Sequence, residues 1–259
     1  MPFTIAHAAA ALPFRRRRLI MSALVIGTFA PDFEYFINLG PHGRFGHSIR
    51  GALLLTLPIA LLTLWIFHRF VKGPVVRLLP HGLQSRLAKH VGEFRFGGTR
   101  RFLLIVASTL LGIATHLLWD SFTHVNTWLW RRWEFLRDTI SVPGLGAIPH
   151  YKLLQWASTV IGMGVLLVWF VYWYRDTEPV RERAPLMPLV RRIVVISCVT
   201  LVALGGAAIH AYFLVGIPET FGRVKRFGVE FVITSIVLTW WQLVIYGVIA
   251  SRETAYSSG

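Results

Sequence analysis

The chain has 259 residues and a net charge of +15, and 54% of its residues are hydrophobic. Most basic residues flank apolar segments rather than forming a basic helix with nucleic-acid-binding spacing, so no nucleic-acid partner is expected. The single cysteine, Cys198, lies inside an apolar segment, which excludes a disulfide framework and a cysteine-based metal site.

Several apolar segments are too long for ordinary core helices. Five of them can each cross about 30 Å of hydrocarbon as a helix. An earlier segment, residues 19–37, is apolar but irregular, because it contains Asp32 and Glu34. The sequence therefore predicts an all-α, polytopic transmembrane helical bundle with about six spans, the first of them broken at Pro31. The five regular segments are residues 51–70, 102–119, 153–174, 193–217 and 229–250.

The unusual polar residues are unevenly distributed along the chain. Residues 1–174 carry nearly all of them and are predicted to form a membrane core with a metal site. Residues 175–192 are charged and contain three prolines, which is typical of a linker. Residues 193–259 are predicted to form two packing helices, with His210 as their polar exception.

His7 is the first candidate site residue. It is followed by alanines that permit close helix packing. If residues 3–12 and 19–30 form a helical hairpin that turns at the arginines, the start of the first arm and the end of the second lie at the same level. This arrangement brings His7 near Asp32 and favours a half-buried, re-entrant first helix.

Pro31 is predicted to end the preceding helix, because the residue before a proline is displaced from the helical region. Asp32 and Glu34 are then expected on non-helical backbone, which is tolerated at membrane depth only when it is buried in protein or lines a wet cavity. Asp32 is the favoured metal ligand, although it could instead cap the following turn. Glu34 is a candidate metal ligand, a candidate hydrogen-bond partner of a metal ligand, or a candidate general base.

His47 immediately precedes the apolar segment 51–70, and His42 lies five residues earlier among glycines that allow a tight bend. Arg50 is about one helical turn beyond His47 and could face the same cavity. The alternative is a flexible loop with incidental histidines.

His116, Asp120 and His124 are spaced four apart, so on a helix they lie on one stripe. An Asp at membrane depth is costly and usually functional, which favours a metal or catalytic site. The alternative is that these residues form a polar helix end at the membrane surface without a site. This alternative applies most strongly to His124, the last of the three. His68, His81, His90, His150 and His210 are expected to be ordinary histidines.

Taken in order, these candidates end the first span, begin the second and end the third, so they fall on one side of the membrane. Imidazole and carboxylate donors without thiolate suit zinc, manganese or iron, with zinc the default for a hydrolytic site. The expected metal ligands are His7, Asp32, His47, His116 and Asp120. Glu34 or His124 would accept a proton from water, and Arg50 would neutralise a phosphate oxygen.

Basic residues between the spans predict the orientation, because cytoplasmic loops are richer in lysine and arginine. Arg15–Arg18, residues 72–101 and residues 175–192 then fall on the cytoplasmic side. A multi-pass inner (plasma) membrane protein is predicted, with both termini cytoplasmic and the site facing outside.

The blocks MPFTIAHAAAALP, SALVIGTFAPDFEYF, GHSIRGALL and THLLWDSFTH resemble those of an uncharacterised bacterial membrane family, domain-of-unknown-function family 4184, over most of the chain. That resemblance implies no activity. A weaker similarity, carried by His7, the Pro31–Glu34 block and residues 42–48, is to YdjM-like membrane-bound metal-dependent hydrolases.

The order of His7, Asp32, His47 and the His116-x-x-x-Asp120 pair also resembles that of zinc-dependent phospholipase C and P1-type nucleases. Two departures are that Glu34 replaces a second Asp and that a later His-x-x-x-Glu pair is missing, which argues against a full three-metal site.

Residues and resemblances together imply a metal-dependent hydrolase, surrounded by membrane lipids, that acts on a lipid or other amphiphilic phosphoester. Two alternatives stay open. A metal- or proton-coupled transporter should have polar residues that continue toward the other membrane face. A non-catalytic scaffold should saturate the coordination sphere of a structural metal.

Overall fold

The computed structural model describes residues 4–40, 45–91, 94–144, 146–180 and 187–256. Within these residues, five helices are long and apolar enough to cross a membrane. This finding confirms the predicted all-α membrane bundle. The candidate spans are Ile49–Leu78, Thr99–Arg132, His150–Asp176, Leu189–Val215 and Phe221–Ser251.

Helical segments account for most of the described chain. The helices are α1 (Met21–Phe29), α2 (Phe33–Ile37), α3 (Ile49–Leu78, which includes two π-helical turns), α4 (His81–Leu87), α5 (Thr99–Thr123), α6 (Trp128–Arg132), α7 (His150–Asp176), α8 (Leu189–Val215) and α9 (Phe221–Tyr256). A long 3-10 helix covers Thr4–Phe14, and three short ones cover Ala30–Asp32, Ala88–His90 and Glu134–Leu136. A small antiparallel hairpin pairs β1 (Thr139–Val142) with β2 (Gly146–Pro149).

The chain divides into two compact units. The first contains the described residues within 1–33, 44–61 and 96–173, and the second contains those within 34–43, 62–95 and 174–259. The polar side chains that meet at the site described below all belong to the first unit.

The N-terminal hairpin is formed by Thr4–Phe14 and α1, which pack against each other. Its turn carries the exposed side chains of Arg15–Arg18. The Ile20 N–H donates to Ser108 Oγ at 3.0 Å, and Ser108 lies about 9 Å along the helix axis from Phe102. The hairpin therefore runs beside the C-terminal part of α5 rather than along its full length.

Two glycines allow α1 and α5 to approach closely while running in the same direction. A Cβ at Gly112 would lie 2.2 Å from the Leu24 carbonyl oxygen, and a Cβ at Gly27 would lie 2.3 Å from the Thr109 carbonyl oxygen. Small residues at such contacts are typical of helix packing in membranes. This contact sets how near the end of α1 comes to the end of α5.

The α-helix is interrupted at the predicted place, because α1 ends at Phe29 and a 3-10 turn covers Ala30–Asp32. The predicted displacement of the residue before Pro31 is wrong, because Ala30 keeps helical dihedral angles. The expectation of non-helical backbone for Asp32 and Glu34 is wrong. Asp32 ends the 3-10 turn and Glu34 lies in α2. Proline lacks an N–H and is tolerated in a first helical turn, so the chain changes its helical geometry here without leaving it.

The elements next to the site begin and end through local caps. Ser48 Oγ accepts a hydrogen bond from the Gly51 N–H at 3.0 Å, which starts α3 directly after His47. At the other end, α5 stops at His124, whose backbone is extended and whose N–H donates to the Asp120 carbonyl oxygen at 3.0 Å. His47 and His124 therefore lie directly outside the capped ends of α3 and α5.

Candidate metal centre

Four side chains from three segments of the first unit meet at one point. Each offers a ligand atom, and these atoms all lie within 4.8 Å of one another. We call them the four-ligand group: Asp32, His47, His116 and Asp120. The convergence predicted from the span ends is therefore observed, and the group could hold a metal ion.

The spacing within the four-ligand group resembles a coordination shell more than a hydrogen-bond network. His47 Nε2 is 3.5 Å from both Asp32 Oδ1 and Asp120 Oδ2. His116 Nε2 is 3.7 Å from Asp32 Oδ1 and 3.2 Å from Asp120 Oδ2. Tetrahedral ligands at about 2.1 Å from zinc are about 3.4 Å apart, whereas N–H···O hydrogen bonds are usually about 2.7–3.2 Å.

The His116 ring is oriented by a backbone group. Its Nδ1 lies 2.8 Å from the Thr28 carbonyl oxygen, which can only accept, so Nδ1 carries the proton and donates it. The lone pair is then on Nε2, which points at the two carboxylates. Metal-ligating histidines are typically oriented in this way by a bond to their other nitrogen.

Asp32 is oriented by a hydroxyl that the sequence analysis missed. Thr4 Oγ1 donates to Asp32 Oδ2 at 2.6 Å, which leaves Oδ1 directed at the two imidazoles. The signal that could have identified Thr4 is its place at the start of the first hairpin arm, three residues before His7. A threonine is too common at such positions to be singled out from one sequence.

Within the four-ligand group, Asp32 Oδ1, His116 Nε2 and Asp120 Oδ1 are buried and lack a hydrogen-bond partner among the described residues. The side chains of Asp32 and His116 are 1% and 0% exposed, so bulk solvent does not reach these atoms. Buried polar atoms without partners are costly in a folded protein, and each requires an explanation such as a bound ion. The donor set therefore fits a divalent cation.

His7 and His124 flank Asp120 on its other oxygen. His7 Nε2 is 3.5 Å and His124 Nδ1 is 3.3 Å from Asp120 Oδ1. The His7 ring also stacks on His116, with centroids 4.0 Å apart. The predicted hairpin thus brings His7 to the cluster, as expected from its two arms.

Two histidines at the cluster have pKa values moved in opposite directions. Burial disfavours the His47 cation, but the neighbouring carboxylates of Asp120 and Asp32 outweigh it and raise the pKa of His47 to about 9. Burial, aided by the neighbouring His116, lowers the pKa of His7 to about 4. The carboxylates therefore attract a cation, and His7 is neutral and able to act as a ligand.

The other predicted site residues have different surroundings. The His124 side chain is 24% exposed at the rim of the cluster. Arg50 is exposed in the first turn of α3, and Glu34 is half-buried in α2, within the second unit. Their proposed chemical roles stay predictions, and His42 lies outside the described residues.

Histidines expected to be ordinary make contacts of other kinds. His68 stacks on Phe94 with ring centroids 3.9 Å apart. His150 Nδ1 lies 2.8 Å from the Phe135 carbonyl oxygen. His210 Nδ1 lies 3.0 Å from Thr234 Oγ1. None of the three belongs to the four-ligand group.

Residues 1–252 match the model of the family described as Domain of unknown function (DUF4184). The chain belongs to this family. No curated protein and no solved structure matches the chain. The weaker similarities to YdjM-like hydrolases and to zinc phospholipases therefore depend on the motif residues alone.

Proposed function

We propose that this protein is a membrane-bound metal-dependent hydrolase that acts on a lipid or other amphiphilic phosphoester. The observation that carries the proposal is the four-ligand group, whose imidazole and carboxylate donors are spaced like the ligands of one ion. Zinc is the first expectation, with manganese and iron as alternatives.

A bound divalent ion would lower the pKa of a water molecule to about 7 and polarise the scissile group. The chain contributes the shape and charge of the site. Thr4 and the Thr28 carbonyl hold Asp32 and His116 in position, and the buried walls exclude bulk water. Rigid outer contacts of this kind keep ligands in a productive geometry.

An apolar groove beside the cluster supports an amphiphilic substrate. It encloses about 420 Å³ and is lined mainly by apolar side chains, including Trp119, Phe122 and Leu154. Trp119 also contacts the His7 ring, with centroids 6.3 Å apart, so one aromatic residue separates the groove from the cluster. An acyl chain in this groove would place its head group near the ligands.

Exposed arginines near the site support a negatively charged head group. Arg131 and Arg132 lie on α6, shortly after the cluster residues of α5. The Arg132 guanidinium lies 5.3 Å from the centre of the Trp128 ring, a pairing suited to a membrane interface. Arginine forks bind phosphate oxygens in bidentate fashion, so these side chains and Arg50 are the proposed phosphate partners.

The course of polar residues along α5 favours an enzyme over a transporter. Between the start of α5 and His116, the buried polar side chains of this helix carry hydroxyl groups. Ser108 Oγ donates to the Leu104 carbonyl oxygen and Thr109 Oγ1 donates to the Ile105 carbonyl oxygen. These bonds direct both hydroxyl protons to carbonyl groups of the same helix, and the buried side chains of α5 before His116 provide no ionisable relay toward the other face.

A structural metal is the second alternative, because four protein ligands usually close a structural zinc site. The deciding experiment combines metal analysis of the detergent-purified protein with hydrolysis of lipid phosphates of different chain length and of generic phosphodiesters. Wild type, Asp120→Asn and His116→Ala are compared, with His210→Ala as the matched control.

We expect metal-dependent turnover in wild type and in His210→Ala, and its loss in the two site variants. Turnover should favour long acyl chains over short ones. Bound metal without turnover on any substrate would favour the scaffold or transport function. Turnover that survives both site substitutions would place the chemistry elsewhere.

We also propose that the protein resides in the inner membrane with the site facing outside. If the five candidate spans alternate across the membrane, the loop after α3 and the end of α9 are expected on the membrane face opposite to the site, which the basic residues identify as cytoplasmic. Because Thr4 contacts Asp32, the start of the first hairpin arm belongs on the side of the site. This proposal keeps the cytoplasmic C-terminal end and departs from the prediction of a cytoplasmic N-terminus.

Reporter fusions after residue 90 and at the C-terminus test the orientation. A cytoplasm-only reporter should be active at both positions. A periplasm-only reporter that is active at either position would overturn the proposal.

A further inference from the structure

We propose that Lys152 binds the phosphate of a lipid whose acyl chain occupies the apolar groove beside the cluster, and that this lipid enters the groove sideways from the membrane. The inference rests on the proposed function and makes its substrate more specific: a phosphate-bearing lipid of the leaflet on the side of the site. It adds a phosphate partner that is fixed in place at the groove itself.

The length of the groove suits an acyl chain of one leaflet. On α5 its lining extends from Thr115 to Thr123, which is about 12 Å at the helical rise of about 1.5 Å per residue. One leaflet contributes half of a hydrocarbon thickness of about 30 Å. The groove therefore covers most of the depth of a single leaflet, and its upper end lies at the last turn of α5.

The groove is open toward the hydrocarbon of the membrane. Leu118 lines it and is 61% exposed, and Leu154 on the facing helix α7 is 37% exposed. Leu118 lies about 9 Å along the helix axis from His124, where α5 has ended. An apolar side chain exposed at this depth of a membrane-spanning helix faces lipid. An acyl chain can therefore enter between α5 and α7 without first passing through water.

A series of polar contacts closes the upper end of the groove. Gln155 is 4% exposed, and its Nε2 donates to the Thr123 carbonyl oxygen at 3.2 Å. Because a carbonyl oxygen can only accept, the amide nitrogen of Gln155 faces Thr123 and its Oε1 is left to accept from another group. The Lys152 ammonium donates to this Oε1. Thr123 lines the groove, so the ammonium is connected to the upper end of the groove.

The Lys152 side chain does not follow the usual course of a lysine near a membrane surface. Lys152 is the third residue of α7, which begins at His150. Lysines near helix ends usually extend their ammonium groups toward water. Here the half-buried side chain contacts the next turn of its own helix, where Nζ bonds to Gln155 and lies 6.0 Å from the centre of the Trp156 ring. The positive charge is thus held beside the groove.

A positive charge at the upper end of an apolar groove suits an amphiphile with a phosphate head group. An ammonium has three protons, so Lys152 can keep its bond to Gln155 while it donates to a phosphate oxygen. Hydrogen bonds that involve ionised groups are about twice as strong as neutral ones. Trp119 lines the groove and also contacts the His7 ring, so the groove and the cluster share a wall. A phosphate held by Lys152 would therefore lie beside the cluster.

Binding of dodecyl phosphate to the full-length, chelator-treated protein in a neutral detergent tests the inference without turnover. Dodecanol and inorganic phosphate are the comparison ligands, and isothermal titration calorimetry is the measurement. We expect Lys152→Met to weaken dodecyl phosphate binding about tenfold, the size of one hydrogen bond to a charged group, and to leave dodecanol binding unchanged. Lys152→Arg should keep most of the affinity. Lys225→Met, which removes an exposed lysine of α9 in the second unit, is the matched control and should change neither affinity.

A second variant tests the groove. Ser158 lines it, and Ser158→Trp should fill it and weaken dodecyl phosphate and dodecanol binding together. Inorganic phosphate should bind wild type much more weakly than dodecyl phosphate does. Three results would overturn the inference: unaltered dodecyl phosphate binding in Lys152→Met, an equal loss of dodecanol binding in that variant, or inorganic phosphate that binds as tightly as dodecyl phosphate. Retained dodecanol binding shows that Lys152→Met is folded.

Turnover in the presence of metal separates this inference from the proposed function. Lys152→Met should raise KM for lipid phosphates, because it removes binding energy that the bound substrate already uses. Metal-dependent turnover with an unchanged KM in Lys152→Met would overturn the inference and leave the proposed function intact. Dodecyl phosphate binding that depends on Lys152, without hydrolysis of any lipid phosphate, would overturn the proposed function and leave the lipid-phosphate site.

Discussion

The two compact units treat buried polar side chains differently. In the first, donors from the N-terminal hairpin, the start of α3 and the end of α5 meet at one point, and several of their atoms lack hydrogen-bond partners. In the second, the half-buried His210 lies 3.0 Å from Thr234. The buried Glu230 also has an oxygen, Oε2, without a hydrogen-bond partner among the described residues, but it belongs to no group of converging ligand atoms there.

The difference lies in how many independent segments supply donors to the same point. A histidine beside a hydroxyl on a neighbouring helix is satisfied by that one contact and holds two helices together. Four ligand atoms from three segments exceed what helix packing requires, and their mutual spacing suits an ion. Polar residues in membrane-spanning segments therefore indicate a binding site mainly where several of them meet at one point.

The largest expected effect comes from Asp120→Asn, compared with Glu230→Gln in the second unit. Asp120 contacts all the imidazoles of the cluster. Loss of an outer-shell contact costs about 10–100-fold in metal affinity, so loss of this ligand should cost more. Isothermal titration of metal into the detergent-solubilised protein measures it. Equal losses of metal affinity in Asp120→Asn and Glu230→Gln would contradict the proposed difference between the two units.

Gly112→Ala should destabilise the first unit, because the new Cβ would lie 2.2 Å from the Leu24 carbonyl oxygen. Overpacking of this kind costs about 1–3 kcal/mol. Thermal unfolding in detergent is the measurement. Gly205→Ala in α8 is the matched control, since its Cβ meets nothing within 4 Å and should leave the melting temperature unchanged or slightly raised. A similar fall in both would show that the close contact of α1 and α5 is unimportant.

Thr4→Val removes one hydroxyl and almost no volume, and it removes the hydrogen bond from that hydroxyl to Asp32 Oδ2. Metal affinity should fall by about 10–100-fold, the usual cost of losing an outer-shell contact. Metal stoichiometry at saturating concentration should not change, because every ligand is still present. An unaltered affinity would mean that Asp32 is positioned by the backbone alone.

The smallest effect is expected from Thr234→Val, the same substitution at a hydroxyl that faces His210. Side-chain hydrogen bonds between membrane helices contribute about 0.6 kcal/mol on average. The free energy of unfolding should fall by about that amount, with metal affinity unchanged. A loss of metal affinity here would give the second unit a part in metal binding and weaken the contrast.

Much of the candidate site followed from local patterns. The fourfold spacing of His116 and Asp120, the break at Pro31 and the position of His47 before an apolar span placed these residues at neighbouring span ends. The hairpin argument for His7 also led to the observed arrangement. Patterns of this kind are readable because helix period and span length are properties of short stretches of chain.

Three features required the tertiary structure. The Thr4 hydroxyl and the Thr28 carbonyl orient ligands only because α1, the first hairpin arm and α5 pack side by side. The helical backbone at Asp32 depended on how the chain continues beyond Pro31.

The sequence by itself determined the membrane class of the protein and which polar residues gather at one end of its spans, because hydropathy and helix period act along the chain. The tertiary structure decided which oxygen of Asp120 faces which imidazoles and which outer groups hold them. Those contacts depend on side-chain rotamers and on the close approach at Gly27 and Gly112, which are set by packing between segments that are distant in sequence.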